Sequence, residues 1–105
     1  MDTKQQAHRA LVDRVLNGAG QAPSELRDRA FSDTGVPSPL PALISKVASR
    51  PTQITSADFA AAKAAGFTED QPFELVICAA VGQSARLYDA GLAALAEAAD
   101  DGKAG

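Results

Sequence analysis

Two side chains that lie one helical turn apart could carry out acid–base or thiol chemistry. Glu74 and Cys78 both fall in the apolar run FELVICAAV, and Cys78 is the only cysteine of the chain. Burial among aliphatic side chains raises the pKa of a thiol, so we expect Cys78 to pack as a small apolar residue. The alternative is a lone peroxidatic thiol whose resolving partner belongs to another subunit.

Three further charged residues, Lys46, Arg50 and Asp58, lie on either side of a proline. We group them with the Glu74 and Cys78 pair as a candidate pocket for a small anionic molecule, such as an aromatic acid or a lactone. The competing interpretation is that they are solvated charges on helix faces, because surface ion pairs are common and weak.

The aromatic and histidine side chains point to packing rather than to a metal or cofactor site. His8 is the only histidine and has no carboxylate or thiolate at ligand spacing, so we expect it in the core or at an interface, and no metal site. Tyr88 shares a helix face with Leu92 and Leu95 and is assigned the same role. The GAG at residues 18–20 follows a helix, not a strand, so no dinucleotide cofactor is expected.

Composition excludes several classes of partner. The 105 residues fit a single domain over 1–105, with a net charge of −3 and a pI near 4.9. Basic residues are scattered, which gives no footprint for a nucleic acid, and no apolar run approaches the ~20 residues of a membrane span. The polar N-terminus and the lone cysteine fit a cytoplasmic protein.

The apolar content predicts a thin core. The chain has about as many alanines as leucines, isoleucines, valines and phenylalanines combined. Burial of so little large apolar surface barely offsets the conformational entropy of a small domain. We therefore expect a homo-oligomer in which alanine-rich helices approach one another closely.

Periodicity and capping signals predict an all-α bundle of about five to six helices. Helical segments are expected near residues 2–17, 23–31, 38–50, 55–65 and 68–100. Thr55 with Asp58, and Thr68 with Gln71, have capping-box spacing. Gly66 suits a left-handed residue after the fourth helix, and Gly82 predicts either a kink or close packing in the last one.

Two stretches of this chain resemble a known family. LPALISKVASRPTQITSADFAAAKAAGFTEDQPFELVICAAVGQSARLYDAGLAAL (residues 40–95) and VLNGAGQAPSELRDRAF (residues 15–31) are similar to the carboxymuconolactone decarboxylase and alkylhydroperoxidase D-like (AhpD-like) superfamily. The resemblance implies a helical AhpD-like fold and assembly into dimers, trimers or hexamers. Its markers are the AAG helix end, FTEDQPFEL and the AAVGQSARLYDAGLAAL continuation, which are structural motifs and bear on fold more than on activity.

The family's redox residues are absent from the matching positions. In redox-active members a CxxC pair and a histidine four residues later open the helix that ends in the small-residue glycine motif. Counted back from Gly66, Pro51 and Ile54 occupy the cysteine positions and Asp58 the histidine position, while the upstream glutamate falls near Pro39. Without a thiol pair no disulfide can cycle, so peroxidase or disulfide reductase activity is disfavoured.

We therefore expect an AhpD-like protein without the redox motif that works as a homo-oligomeric small-molecule-binding or accessory module. A decarboxylase or lactone-processing enzyme with a non-thiol site is the first alternative. Redox chemistry through Cys78 is the second.

Overall fold

The computed structural model describes residues 3–104, and side chains for residues 3–100. Within this range the chain forms five α-helices and one turn of 3-10 helix, and no strand. The helices are α1 (Thr3–Asn17), α2 (Ser24–Ser32), α3 (Leu40–Ser49), α4 (Ser56–Ala64) and α5 (Asp70–Ala104), and the 3-10 turn is Pro51–Gln53. The predicted all-α class and number of helices are confirmed. The predicted start of the first helix at Asp2 lies outside the described residues.

Local sequence sets most of the helix boundaries. The Asp58 carboxylate accepts a hydrogen bond from the backbone N–H of Thr55 (2.9 Å), which forms the predicted capping box of α4. Gly66 follows α4 with φ +103°, the left-handed conformation expected there. The Gln71 side chain accepts the backbone N–H of Thr68 (2.9 Å) just before α5.

The core lies where α2 and α3 pack against the first half of α5, and α1 covers one side. All of its large buried aliphatic side chains lie on α3 and α5, and the other core positions carry small side chains. The core residues include Ala22, Ala30, Leu40, Leu43, Ile44, Ala62, Leu75, Cys78 and Ala79. Alanine at nearly half of these positions lets the helix backbones approach closely, but it leaves little apolar surface to bury.

α1 runs antiparallel to α5. The rings of His8 and Tyr88 stack with their centroids 4.4 Å apart and an interplanar angle of 29°. Near the other end of α1, the carbonyl oxygen of Val15 accepts a hydrogen bond from the Cys78 thiol (3.6 Å). His8 thus has the packing role predicted for it, against the tyrosine that the sequence also assigned to packing.

Gly82 brings the end of α2 against the backbone of α5. A β-carbon at this position would lie 1.9 Å from the carbonyl oxygen of Phe31, a distance that no side chain can occupy. One turn later Arg86 donates a hydrogen bond to the same oxygen (2.7 Å). Of the two roles predicted for Gly82, close packing is the one observed, and α5 continues through this residue as one helix.

The end of α5 projects from the body of the molecule. Every residue from 89 to 100 is exposed, and we call this segment the distal arm. The radius of gyration is 16.6 Å, whereas a compact chain of this length has about 13 Å. A helical segment without packing is only marginally stable in water, so within this chain the arm depends on its alanine content.

Candidate functional site

The first group of predicted site residues forms an ion pair at the N-terminus of α4. The Lys46 ammonium lies 2.9 and 3.0 Å from the two carboxylate oxygens of Asp58. The hydrogen bond from the Thr55 backbone, followed by the one from Lys46, holds the pKa of Asp58 below its usual value. This pair ties α3 to the start of α4, and both charges are already satisfied by each other.

The other residues around this pair belong to the connection between α3 and α4. The Arg50 side chain is exposed, and its backbone N–H donates to Lys46 O (2.8 Å) at the end of α3. Pro51 opens the 3-10 turn and Ile54 is half-buried after it. The segment that aligns with a redox motif is therefore a capped helix start with an ion pair, and it presents no thiol or imidazole.

Glu74 holds the loop between α1 and α2. Both oxygens of its carboxylate accept backbone hydrogen bonds. The Gln21 N–H donates to Oε1 (2.8 Å) and Oε2 (2.9 Å), and the Ala22 N–H donates to Oε2 (2.6 Å). Gly20 leaves room for it, because a β-carbon there would lie 2.8 Å from Glu74 Oε1. Gln71 adds a bond from its side-chain amide to Gln21 O (3.1 Å). We call this arrangement the loop clamp.

Arg27 completes the loop clamp from α2. Its guanidinium donates to the carbonyl oxygens of Gly18 (2.6 Å) and Ala22 (2.9 Å). These carbonyls lie at and beyond the end of α1, where no helical partner is available to them. A cation at a helix C-terminus also opposes the negative end of the helix dipole. Glu74 thus binds the N–H groups of this loop, and Arg27 binds its carbonyl oxygens.

Cys78 is buried one turn after Glu74, with its side chain directed at the end of α1. Desolvation by burial raises the pKa of this thiol, and the nearby Arg27 charge lowers it by less. The thiol is therefore protonated near neutral pH and is a poor nucleophile. Its burial agrees with the interpretation of Cys78 as a small core residue.

A surface cavity of about 180 Å³ opens beside this cluster. Its lining combines two arginines and one carboxylate with aliphatic walls and the thiol. The residues are Arg14, Val15, Ala19, Arg27, Glu74, Ile77 and Cys78. The structure thus divides the predicted pocket into two groups. Glu74 and Cys78 share this cavity, whereas Lys46 and Asp58 pair at α4 and Arg50 lies between α3 and α4.

Sequence reasoning did not select Arg14 or Arg27. Both arginines lie on amphipathic helices, where a charged residue is usually taken as part of the solvated face. Only the fold shows that α1 ends beside α5, which places the two guanidinium groups around Glu74. The sole advance indication was the glycine-containing turn at residues 18–20, whose unpaired carbonyls need a donor.

Among residues 3–100, whose side chains the structure describes, no group of three or more histidine, cysteine, aspartate or glutamate side chains is suited to a metal ion. Over residues 3–104, no helix is long and apolar enough to cross a membrane. No protein-family model, curated protein or solved structure matches this chain. The relation to the AhpD-like superfamily therefore stays a prediction from the sequence motifs.

Proposed function

We propose that this chain is a non-redox, homo-oligomeric binding module of the AhpD-like kind, working in the cytoplasm. Its ligand is a small carboxylic acid with an apolar body, bound in the cavity beside the loop clamp. The observation that carries the proposal is the lining of that cavity, which sets two guanidinium groups against a single carboxylate and adds aliphatic walls.

The charge balance of the cavity favours an anion. The negative charge of Glu74 is already distributed over backbone N–H groups, and Arg27 donates to backbone carbonyls. Arg14 is exposed at the rim and adds a second positive charge. Guanidinium groups bind carboxylates with two parallel hydrogen bonds, so Arg14 is the group assigned to the ligand's carboxylate.

The size and walls of the cavity favour a small apolar body. Val15, Ala19 and Ile77 form its aliphatic side, and its volume of about 180 Å³ is close to the 150 Å³ that holds benzene in an engineered protein cavity. A benzoate-sized molecule therefore fits the available space, whereas a nucleotide does not.

The same residues support binding rather than catalysis. Cys78 keeps its proton because burial raises its pKa, and both Glu74 oxygens are occupied by backbone hydrogen bonds. A carboxylate that took up a proton would lose part of these hydrogen bonds, so the contact that holds the loop opposes the use of Glu74 as a general base. The buried, protonated thiol is a poor nucleophile.

Benzoate titration followed by NMR tests the binding proposal. We expect saturable shifts of backbone amides around the cavity, and roughly 10-fold weaker binding in Arg14→Gln because one charge-assisted contact is lost. Arg9→Gln is the matched control, since it removes the same charge from α1 at a residue that lines a different groove. Equal affinities of the two variants, or no saturable shift in the wild type, would refute the proposal.

Two assays test the enzymatic alternatives. Reproducible turnover of a carboxymuconolactone-like substrate would refute the binding module and support a decarboxylase or lactone-processing enzyme. For redox chemistry through Cys78, the folded protein would have to react with a thiol reagent as fast as an exposed thiol does. We expect no turnover, and thiol reaction only after unfolding.

A further inference from the structure

The outer face of α5 carries a mostly apolar stripe of exposed residues. Its members recur at alternating spacings of four and three residues, the pattern of a coiled-coil seam. On the body of the molecule they are Phe73, Ile77, Ala80, Ser84 and Leu87, all exposed. On the distal arm the spacing continues through Gly91, Ala94 and Ala98. We call these eight positions the seam.

The seam includes large side chains that a monomer would leave in water. Phe73 is 59% exposed, Ile77 42% and Leu87 63%. A row of such residues along one helix face differs from the singly scattered apolar residues of an ordinary surface. A row with this spacing suits packing against another helix.

The surface area of the chain matches that interpretation. A compact monomer of 10.8 kDa exposes about 5,500 Å². This chain exposes 6743 Å², an excess of roughly 1,200 Å². A standard protein interface buries about 800 Å² on each partner. The excess is thus large enough for one interface with a second copy.

We propose that two copies of this chain pair through α5 in an antiparallel, two-fold symmetric arrangement with one defined register. This proposal specifies the homo-oligomer of the proposed function. In the register that uses all eight seam positions, Phe73 faces the partner's Ala98 and Ile77 faces the partner's Ala94. Towards the two-fold axis, Ala80 faces the partner's Gly91 and Ser84 faces the partner's Leu87.

Side-chain size selects this register. Each large seam residue faces a small one, so the separation of the helices is uniform along the seam. A shift by one heptad in one direction sets Ile77 against Leu87 and leaves Ala94 unpaired. In the other direction Ile77 faces position 101 of the partner, an aspartate instead of an alanine, and Phe73 faces no residue of the partner's α5. A parallel pair would set each large residue against its own copy.

Gly91 provides a second observation. A β-carbon at this position would meet no atom within 4 Å, so nothing in its own chain requires glycine there. Glycine in a helix interior is less favourable than alanine by about 1 kcal/mol. In the proposed pair, Gly91 lies opposite the partner's Ala80 near the two-fold axis, where its missing side chain lets the two backbones approach.

The pairing also brings the distal arm to the cavity. Leu95, which is 67% exposed, flanks the seam on the side of Glu74 and α1. Antiparallel packing sets it beside the partner's Glu74 and Ile77, at the mouth of the partner's cavity. The arm of one copy therefore supplies an apolar cover for the binding site of the other.

Two adjacent alanines on the distal arm give a matched test. Ala94→Glu places a charge in the seam, whereas Ala93→Glu places the same charge one residue away, and both positions are exposed in the single chain. By sedimentation velocity we expect the wild type and Ala93→Glu to be dimers. In Ala94→Glu we expect the dimer dissociation constant to rise by roughly 100-fold or more, because each interface would bury two unpaired charges.

The register is tested by disulfide formation. In one helix residues 77 and 94 lie about 25 Å apart, so Ile77→Cys with Ala94→Cys can link only two chains. We expect this pair to oxidise to a covalent dimer, and Ile77→Cys with Ala93→Cys not to do so. Circular dichroism confirms that each variant is folded.

The outcomes separate this proposal from the proposed function. A dimer or higher oligomer that resists Ala94→Glu, or that forms neither disulfide, overturns the α5 pairing and leaves a homo-oligomer in place. A wild type that stays monomeric at millimolar concentration overturns both. Loss of benzoate binding with an intact α5 dimer overturns the binding site alone.

Discussion

The two halves of α5 belong to one continuous helix but have very different surroundings. In the first half, Glu74, Cys78, Gly82 and Arg86 contact α1, α2 or the loop between them. In the distal arm every residue is exposed. Helix propensity accounts for both halves being helical, but only the first half has its position fixed by contacts within the chain. We propose that pairing through the seam fixes the position of the second half.

The largest effect should come from filling the contact at Gly82. Gly82→Ala adds a methyl group where the Phe31 carbonyl oxygen lies, so α2 must move away from α5. We expect a loss of about 3 kcal/mol in the free energy of unfolding, measured by urea denaturation. A variant as stable as the wild type would show that α2 does not pack against α5 in this way.

The next largest effect should come from Glu74→Gln. The substitution keeps the shape of the side chain but turns one carboxylate oxygen into an NH₂ group that faces the N–H donors of the loop. We expect a loss of about 2 kcal/mol and faster amide hydrogen exchange at Gln21 and Ala22. Glu69→Gln, at an exposed position without this loop contact, is the control and should change stability little.

Cys78 predicts an alkaline effect of smaller size. Burial raises the pKa of the folded thiol above its ordinary value of 9.0, so the folded state keeps its proton to a higher pH than the unfolded state does. Its contribution to stability is complete below pH 9.0 and is lost as the pH rises through the folded pKa. The pH dependence above 9.0 should therefore be shallower in Cys78→Ala. Equal slopes would place the thiol in water.

The smallest effect, and one of opposite sign, is expected in the distal arm. Gly91→Ala meets no neighbour in its own chain, so in dilute monomer it should raise helix stability by up to about 1 kcal/mol. The added methyl group should at the same time weaken the α5 dimer. Stabilisation without any change in dimer affinity would place Gly91 outside the interface and weaken the contrast between the halves of α5.

Much of the fold was accessible from local sequence patterns. Thr55 with Asp58, Thr68 with Gln71, and Gly66 predict boundaries that the structure shows, because capping involves residues three or four apart. Gly82 was ambiguous, since a kink and close packing leave the same mark on a sequence. Only the position of Phe31 distinguishes them.

The site was less accessible, because its contacts join distant segments. Lys46 and Asp58 are twelve residues apart, on two helices of one hairpin; the sequence placed both in a candidate pocket, and the structure joins them as an ion pair. Glu74 and the loop that it holds are more than fifty residues apart, and no local pattern in either segment predicts contact with the other. Arg14 and Arg27 entered the site through the same long-range packing.

The loop clamp also fixes the order in which the chain can mature during synthesis. The backbone amides of Gln21 and Ala22 leave the ribosome more than fifty residues ahead of the carboxylate that they need. Translation proceeds from the N-terminus, and pairings that are distant in sequence form late. The backbone amides of the loop between α1 and α2 therefore remain hydrogen-bonded to water until Glu74 of α5 has been synthesised. A chain that ended before Glu74 would contain the loop without the carboxylate that accepts its hydrogen bonds.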